Sequence, residues 1–239
     1  MSDRPLDPEH FDFESKEAEQ LAAADAELGA PLQLAREAAG HLADALWRTT
    51  APPPDDAATA RLQAIYGLGG LGVRTARALI LLVRSGWEPE AHALKRRMTE
   101  ASLRAQAVME DESGEAARQW LDGRGASPAK LARRFDAARP WEIFSSGAHA
   151  DFRSLRLSMS PPPWVDVPED QRSLTVLPSR RRDHAHGLLL EVAWECTLLL
   201  VALAEAVGGG VVLDDYMDRL TAEREEYVKR SRALRPDAG

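Results

Sequence analysis

Residues 181–207 constrain the fold more than any other segment, because apolar side chains cover most of the circumference of the helix that they predict. A helix of this kind is either buried in a bundle or spans a membrane. Glu191, Glu195 and Glu205 lie in or beside the apolar run, and carboxylates are costly inside a bilayer. The segment therefore predicts the central helix of a bundle. If Glu191 and Glu195, one turn apart, are buried there, each needs a partner.

Helical patterning continues through the rest of the chain, in which alanine, leucine, glutamate and arginine dominate and strand-like alternation is nearly absent. Prolines at 52–54 and glycines at 208–210 indicate helix ends. Residues 158–179 interrupt the pattern and predict either a solvated, proline-stiffened connector or a functional lid. The predicted helices are 12–28, 31–49, 57–85, 89–111, 114–122, 128–138, 140–157, 181–207 and 213–233.

These segments together predict an all-α fold. We expect a mostly antiparallel helical bundle with a central apolar helix near 181–207 and peripheral N- and C-terminal helices. The predicted organisation is an acidic N-terminal helical segment at 1–55, a bundle core at 56–210 and a C-terminal helix at 211–239.

Charge and cysteine content limit the classes of function. The net charge is −8, and residues 1–30 contain nine acidic side chains against two basic ones, which argues against avid non-specific nucleic-acid binding by that segment. The single cysteine, Cys196, rules out an internal disulfide, and its apolar neighbours predict a buried side chain. Because no apolar leader follows Met1, we expect a cytoplasmic protein that does not enter a membrane.

Gly67, Gly69 and Gly72 match the G-x-G-x-x-G spacing of dinucleotide-binding loops. That fingerprint requires a strand before the glycines, whereas the residues that precede Gly67 have a helical pattern. Close helix packing or a helix kink is the better interpretation of these glycines.

Two pairs of polar residues are the best candidates for a site. Arg96 and Glu100 lie one turn apart on one predicted helix, and Ser145 and His149 lie one turn apart on another. Taken alone, the first pair is an ordinary surface ion pair, and His149 is a core histidine that a carboxylate such as Glu100 satisfies. Taken together, the four side chains predict a mostly buried polar cluster that joins two helices.

The order Leu94, Arg96, Glu100 and then Trp141, Ser145, His149 resembles a family of uncharacterised bacterial helical proteins that have the pattern L-x-R-x-x-x-E followed by an aromatic residue and S-x-x-x-H. The resemblance covers roughly residues 60–210. It implies that Arg96, Glu100, Ser145 and His149 converge.

The family is similar in layout to HEPN-like bundles, some of which are ribonucleases or toxins that use an R-x4-6-H motif across a dimer. In this chain Phe144 stands where an R-x4-H motif ending at His149 would need arginine. The literal match is Arg181 with His186.

We therefore expect a binding or interaction protein without a complete catalytic set, a homodimer, and no cofactor or bound metal; protein or RNA are candidate partners. One alternative is a HEPN-like ribonuclease or toxin in which Arg181 or Arg182 acts with His186 or His149. The other is a metal-dependent bundle enzyme, although no Glu-x-x-His motif occurs in the chain. Its ligands would come from Glu100, His149, Glu191 and Glu195.

Overall fold

A computed structural model describes residues 13–50, 56–137, 159–160, 173–174 and 182–233. Within these ranges the chain forms seven α-helices, and the predicted all-α bundle is confirmed. The predicted helix at 140–157 and most of the segment 158–179 lie outside the described residues. The helices are α1 (Phe13–Arg48), α2 (Ala57–Arg84), α3 (Glu88–Glu110), α4 (Glu115–Leu121), α5 (Pro128–Arg134), α6 (Arg182–Ala206) and α7 (Asp214–Ala233).

Two strands of two residues each are also described. Strand β1 (Met159–Ser160) pairs antiparallel with β2 (Ser173–Leu174), with Met159 opposite Leu174. They lie within the segment that interrupts the helical pattern, and they leave the bundle as the dominant architecture.

Local sequence signals account for the helix ends. Asp56 caps α2 through a capping box, because its carboxylate accepts from the Thr59 amide at 2.8 Å while the Thr59 hydroxyl accepts from the Asp56 amide at 3.0 Å. Pro89 occupies the first turn of α3, where a missing amide hydrogen costs little. Gly208 follows α6 with a φ of 71°, which a residue with a side chain rarely adopts.

Helix α6 is the centre of the bundle, as its apolar sequence predicts. It contacts α1, α2, α3 and α7, and most of its side chains, Cys196 among them, are buried. Both α2 and α6 are long and apolar enough to cross a membrane on length and composition alone. The most apolar 18-residue window of α6 is 67% buried inside the protein and that of α2 is 44% buried, so α2 leaves more of its surface uncovered.

Helix α1 contributes to the core more than its predicted peripheral position suggests. It bends at Gly29, whose φ of 47° and ψ of −129° separate the two helices that the sequence predicts, and Pro31 follows the bend. Leu32 and Leu42 are among its buried side chains and pack in the same core as α6. By contrast, α7 buries only Tyr216 and Leu220 among its described residues and lies at the edge of the bundle.

The glycines of α2 allow close packing between helices. A side chain at Gly72 would collide with Leu199 of α6, and a Cβ at Gly69 would lie 3.1 Å from Leu46 of α1. Helix α2 continues through all three glycines of the G-x-G-x-x-G match, and no strand precedes them in the described ranges 13–50 and 56–66. The packing interpretation of these residues is therefore confirmed.

Candidate functional site

The contact between α3 and α6 encloses a polar cluster. Lys95 and Thr99 lie one turn apart on α3, and they face Glu195 on α6. The Lys95 Nζ donates to Glu195 Oε1 at 2.8 Å and to Thr99 Oγ1 at 2.9 Å, and the Thr99 hydroxyl donates to the same Glu195 oxygen at 3.0 Å. We refer to these three residues as the Lys95 cluster. Lys95 is completely buried, and Thr99 and Glu195 are each 6% exposed.

The Lys95 cluster keeps a carboxylate ionised in the core. Burial raises the pKa of Glu195, but attraction to Lys95 and hydrogen bonds from Lys95 and Thr99, with a contribution from the nearby Ser102 hydroxyl, outweigh that effect, so the pKa lies below its usual value. A charge pair this deep is retained against a large desolvation cost, and removal of one partner leaves the other charge uncompensated. The expectation that a buried Glu195 needs a partner is thus met by Lys95.

A cleft of about 480 Å³ opens beside the cluster, with α3 on one side and α6 on the other. Thr99, Ser102 and Glu195 supply polar groups to its lining. The Ser102 hydroxyl is close enough to Glu195 to lower the pKa of that carboxyl. Among the described residues, however, it has no partner with hydrogen-bond geometry, although Ser102 is only 7% exposed. The apolar lining is formed by Leu103, Met109, Phe135, Trp194, Leu198, Val201 and Ala202, among others.

A second set of charges lies at the edge of the cleft. Glu191 is one turn before Glu195 on α6, and its Oε2 is 3.9 Å from Lys95 Nζ. Its other oxygen lies 3.7 Å from an Nη of Arg224, which extends from α7. The Arg224 guanidinium carbon also stands 4.5 Å from the centre of the Trp194 ring, which is cation–π geometry. The charges of α3, α6 and α7 therefore meet at one end of the cleft.

Only part of the predicted polar cluster can be located. Arg96 lies partly buried on α3, and Glu100 forms its ion pair with Arg104, one turn further along the same helix, at 2.9 Å. Ser145 and His149 lie outside the described residues, so their convergence with Arg96 and Glu100 stays a prediction.

His186 is described, whereas Arg181 lies outside the described residues. The imidazole of His186 is 3% exposed, and its Nε2 lies 3.2 Å from the Glu27 carbonyl of α1. Burial lowers its pKa; Arg230 and Arg182 lower it further, although the Glu27 contact and Asp183 act in the opposite direction. At neutral pH the ring is therefore uncharged and donates to α1, an arrangement that closes it off from a solvent-borne phosphate.

Metal-ligand geometry is also absent from the described part of the chain, where no three histidine, cysteine, aspartate or glutamate side chains cluster to hold an ion. Of the four residues considered as ligands, Glu195 is bound to Lys95, Glu100 is bound to Arg104, and Glu191 lies between Lys95 and Arg224. His149 lies outside the described ranges.

Sequence reasoning missed Lys95, which it treated only as the start of a basic run with Arg96 and Arg97. A signal for its burial is nevertheless present. Lys95 stands four residues after Ala91 and three before Met98, both of which are fully buried, so the lysine falls on the inner stripe of α3. A lysine on such a stripe, in a protein whose central helix carries two glutamates one turn apart, predicts a buried pair.

Comparisons with protein-family models, with curated proteins and with solved structures found no match to this chain.

Proposed function

We propose that this protein is a ligand-binding helical bundle, and that the cleft between α3 and α6 is its binding site. The observation that carries the proposal is the buried Ser102 hydroxyl, which lines the cleft beside the ionised Glu195 carboxylate and has no partner with hydrogen-bond geometry in the part of the chain that the structure describes. Buried polar groups normally have partners, so a hydroxyl of this kind favours a ligand group that completes its bonding.

The lining supports a small amphipathic molecule as the ligand. Phe135, Leu198 and Val201 offer apolar surface, while Ser102 and Gln106 offer neutral hydrogen-bonding groups. A volume of about 480 Å³ is in the range of small-molecule sites, which combine apolar walls with a few polar groups. Lys95 is enclosed by its own partners, so the cluster orients a ligand through Glu195 rather than acting as a nucleophile.

The cleft can be tested with Nile red, an uncharged apolar fluorophore. We expect its emission to increase and shift to the blue with the wild-type protein and to lose that response in Leu198→Glu, which places a charge in the cleft. Val207→Glu is the matched control, because Val207 directly follows the same helix and is 49% exposed, Leu198 is 41% exposed, and of the two only Leu198 lines the cleft. A response that survives Leu198→Glu, or that the wild-type protein never gives, would contradict the proposal.

We also propose that the protein is a homodimer that associates through the outer face of α1 and α2. A groove of about 670 Å³ separates these helices there, and Leu81 at its edge is 55% exposed. Gly40, Ala43 and Trp47 share one face of α1, and Trp47 is 89% exposed. A two-fold axis would let Trp47 of each copy cover the small residues of the other, which is the self-complementarity that such dimers need.

Neither enzymatic alternative gains support from the described residues. The ribonuclease alternative uses His186, which is enclosed against α1, or His149, which lies outside the described residues. The metal-dependent alternative draws on Glu195, which Lys95 already neutralises.

A further inference from the structure

Resting on the proposed binding function, the structure points to the chemical class of the ligand. We infer that the cleft binds an amphipathic organic cation, and that its ammonium or guanidinium group takes the position between the Trp194 ring and the Glu191 carboxylate that Arg224 holds in the free protein. The body of the molecule then lies along the apolar surface of α6.

The Trp194–Glu191 pair already holds a cation in this structure. The Arg224 guanidinium stands 4.5 Å from the ring centre and 3.7 Å from the nearest Glu191 oxygen. An aromatic face with a carboxylate beside it is the combination that recognises organic ammonium groups in other sites. The Arg224 guanidinium therefore occupies the position that we assign to the cationic group of the ligand.

Arg224 is held loosely enough to be replaced. Its distance of 3.7 Å to Glu191 is an ion pair without a short hydrogen bond, and its side chain is 37% exposed. The two buried residues of α7, Tyr216 and Leu220, both precede Arg224, and none of the residues after Leu220 in the helix is buried. Exposed ion pairs and exposed cation–π contacts are individually weak, so a ligand cation can compete with this side chain.

The charge balance of the cleft selects a cation over an anion. The charged side chains that line the cleft among the described residues are Glu191, Glu195, Glu205 and Arg224. Lys95 neutralises Glu195 from behind and is itself fully buried, so it offers no positive surface to a ligand. Displacement of Arg224 leaves the charges of Glu191 and Glu205 facing the cleft, which attracts positive and repels negative groups.

Ser102, on which the proposed binding function rests, also lies where a bound cation can reach it. Its buried hydroxyl lines the same cavity and has no partner with hydrogen-bond geometry within the described ranges, whereas the neighbouring Thr99 hydroxyl is engaged with Lys95 and Glu195. The hydroxyl oxygen can accept a hydrogen bond from a second donor on the bound molecule.

The test uses three probes of similar size: 2-phenylethylamine, the uncharged 2-phenylethanol and the anionic 3-phenylpropionate. Isothermal titration calorimetry of the full chain at low salt should show binding in that order of affinity. The Arg224→Gln variant should bind the amine several-fold more tightly, because the competing cation is gone. Glu191→Gln should bind it several-fold more weakly, while Glu225→Gln, an exposed change on α7, should leave the affinity unchanged.

Two results would overturn the inference: equal or tighter binding of the alcohol or the acid, or no gain in amine affinity in Arg224→Gln. Absence of amine binding at millimolar concentration, with Nile red still bound in a Leu198-dependent manner, rejects the cation and leaves the binding cleft intact. Loss of both responses rejects the proposed function itself. Thermal unfolding of each variant establishes that the protein compared is folded.

Discussion

At the scale of single residues, Lys95 is the most consequential side chain that the structure reveals. Its ammonium group has no exposure to water, so its stability depends on Glu195 and Thr99. Breaking a buried ion pair on one side is far more harmful than replacing both partners, because a lone buried charge retains the desolvation cost without the attraction.

We therefore predict that Lys95→Met lowers the free energy of unfolding by about 3–5 kcal/mol, the cost typical of a buried pair broken on one side. The double variant Lys95→Met/Glu195→Leu should recover most of that loss, since neither charge remains. Urea denaturation of the wild type, both single variants and the double variant measures the effect. Lys130→Met changes an exposed lysine and serves as the control. Additive losses in the double variant would contradict a direct interaction between the two residues.

His186 should make stability depend on pH near neutrality. Burial lowers its pKa in the folded state, while the unfolded chain keeps a value of about 6.5. Below about pH 6.5, His186 therefore binds a proton in the unfolded state but not in the folded state, and the free energy of unfolding falls as the pH falls.

We predict that His186→Gln, whose amide can still donate to the Glu27 carbonyl, flattens the dependence of the melting temperature on pH between about 5.5 and 7.5. His41→Gln, at an exposed histidine of α1, should leave that slope unchanged. An unaltered slope in His186→Gln would show that other groups control the dependence. Differential scanning calorimetry across the pH series provides the measurement.

At the scale of elements, the glycines of α2 determine how closely the helices approach. Gly72 has no room for a methyl group because Leu199, itself fully buried, stands against it, whereas a Cβ at Gly70 would meet nothing within 4 Å. The same helix therefore contains one glycine that packing requires and one that it does not.

We predict that Gly72→Ala destabilises the protein by about 1–3 kcal/mol through overpacking. Gly70→Ala should leave the stability unchanged or raise it by up to about 1 kcal/mol, because alanine is the better helix former. Chemical denaturation of the two variants side by side makes the comparison. Equal effects would mean that helix propensity, rather than contact with Leu199, determines the result.

The elements themselves are largely predictable from the sequence. The apolar periodicity of α2, α3 and α6 and the signals at Asp56, Pro89 and Gly208 locate helix ends within a few residues. Gly29 and Pro31 separate two predicted helices, and the non-helical backbone at Gly29 confirms a break in α1 at that point.

The site is less predictable from the sequence. The sequence indicates that a buried Glu195 needs a partner, but the identity of that partner depends on which face of α3 meets α6. Periodicity describes each helix alone, and a side chain such as Lys95 acquires its role only from the pairing of two helices.

At the scale of the whole molecule, the uncovered face of α1 and α2 bears on self-association. We predict that light scattering coupled to size exclusion gives the mass of a dimer, and that Leu81→Glu shifts it to that of a monomer. Val228→Glu, which changes a valine of α7 that is 43% exposed, is the control. A wild-type monomer at high concentration would contradict the dimer, and recovery of the protein with lipid vesicles would instead assign this face to a membrane.

The bend in α1 and His186 of α6 form one contact between the two helices. A helical carbonyl bonds the amide four residues ahead, and for Glu27 that residue is Pro31, which has no amide hydrogen. The ring of His186 on α6 approaches the Glu27 carbonyl oxygen at 3.2 Å and donates to it from another helix. This contact ties the interruption in α1 to one position along α6. The break that the sequence predicts in α1 is therefore also the point at which α1 is bonded to α6.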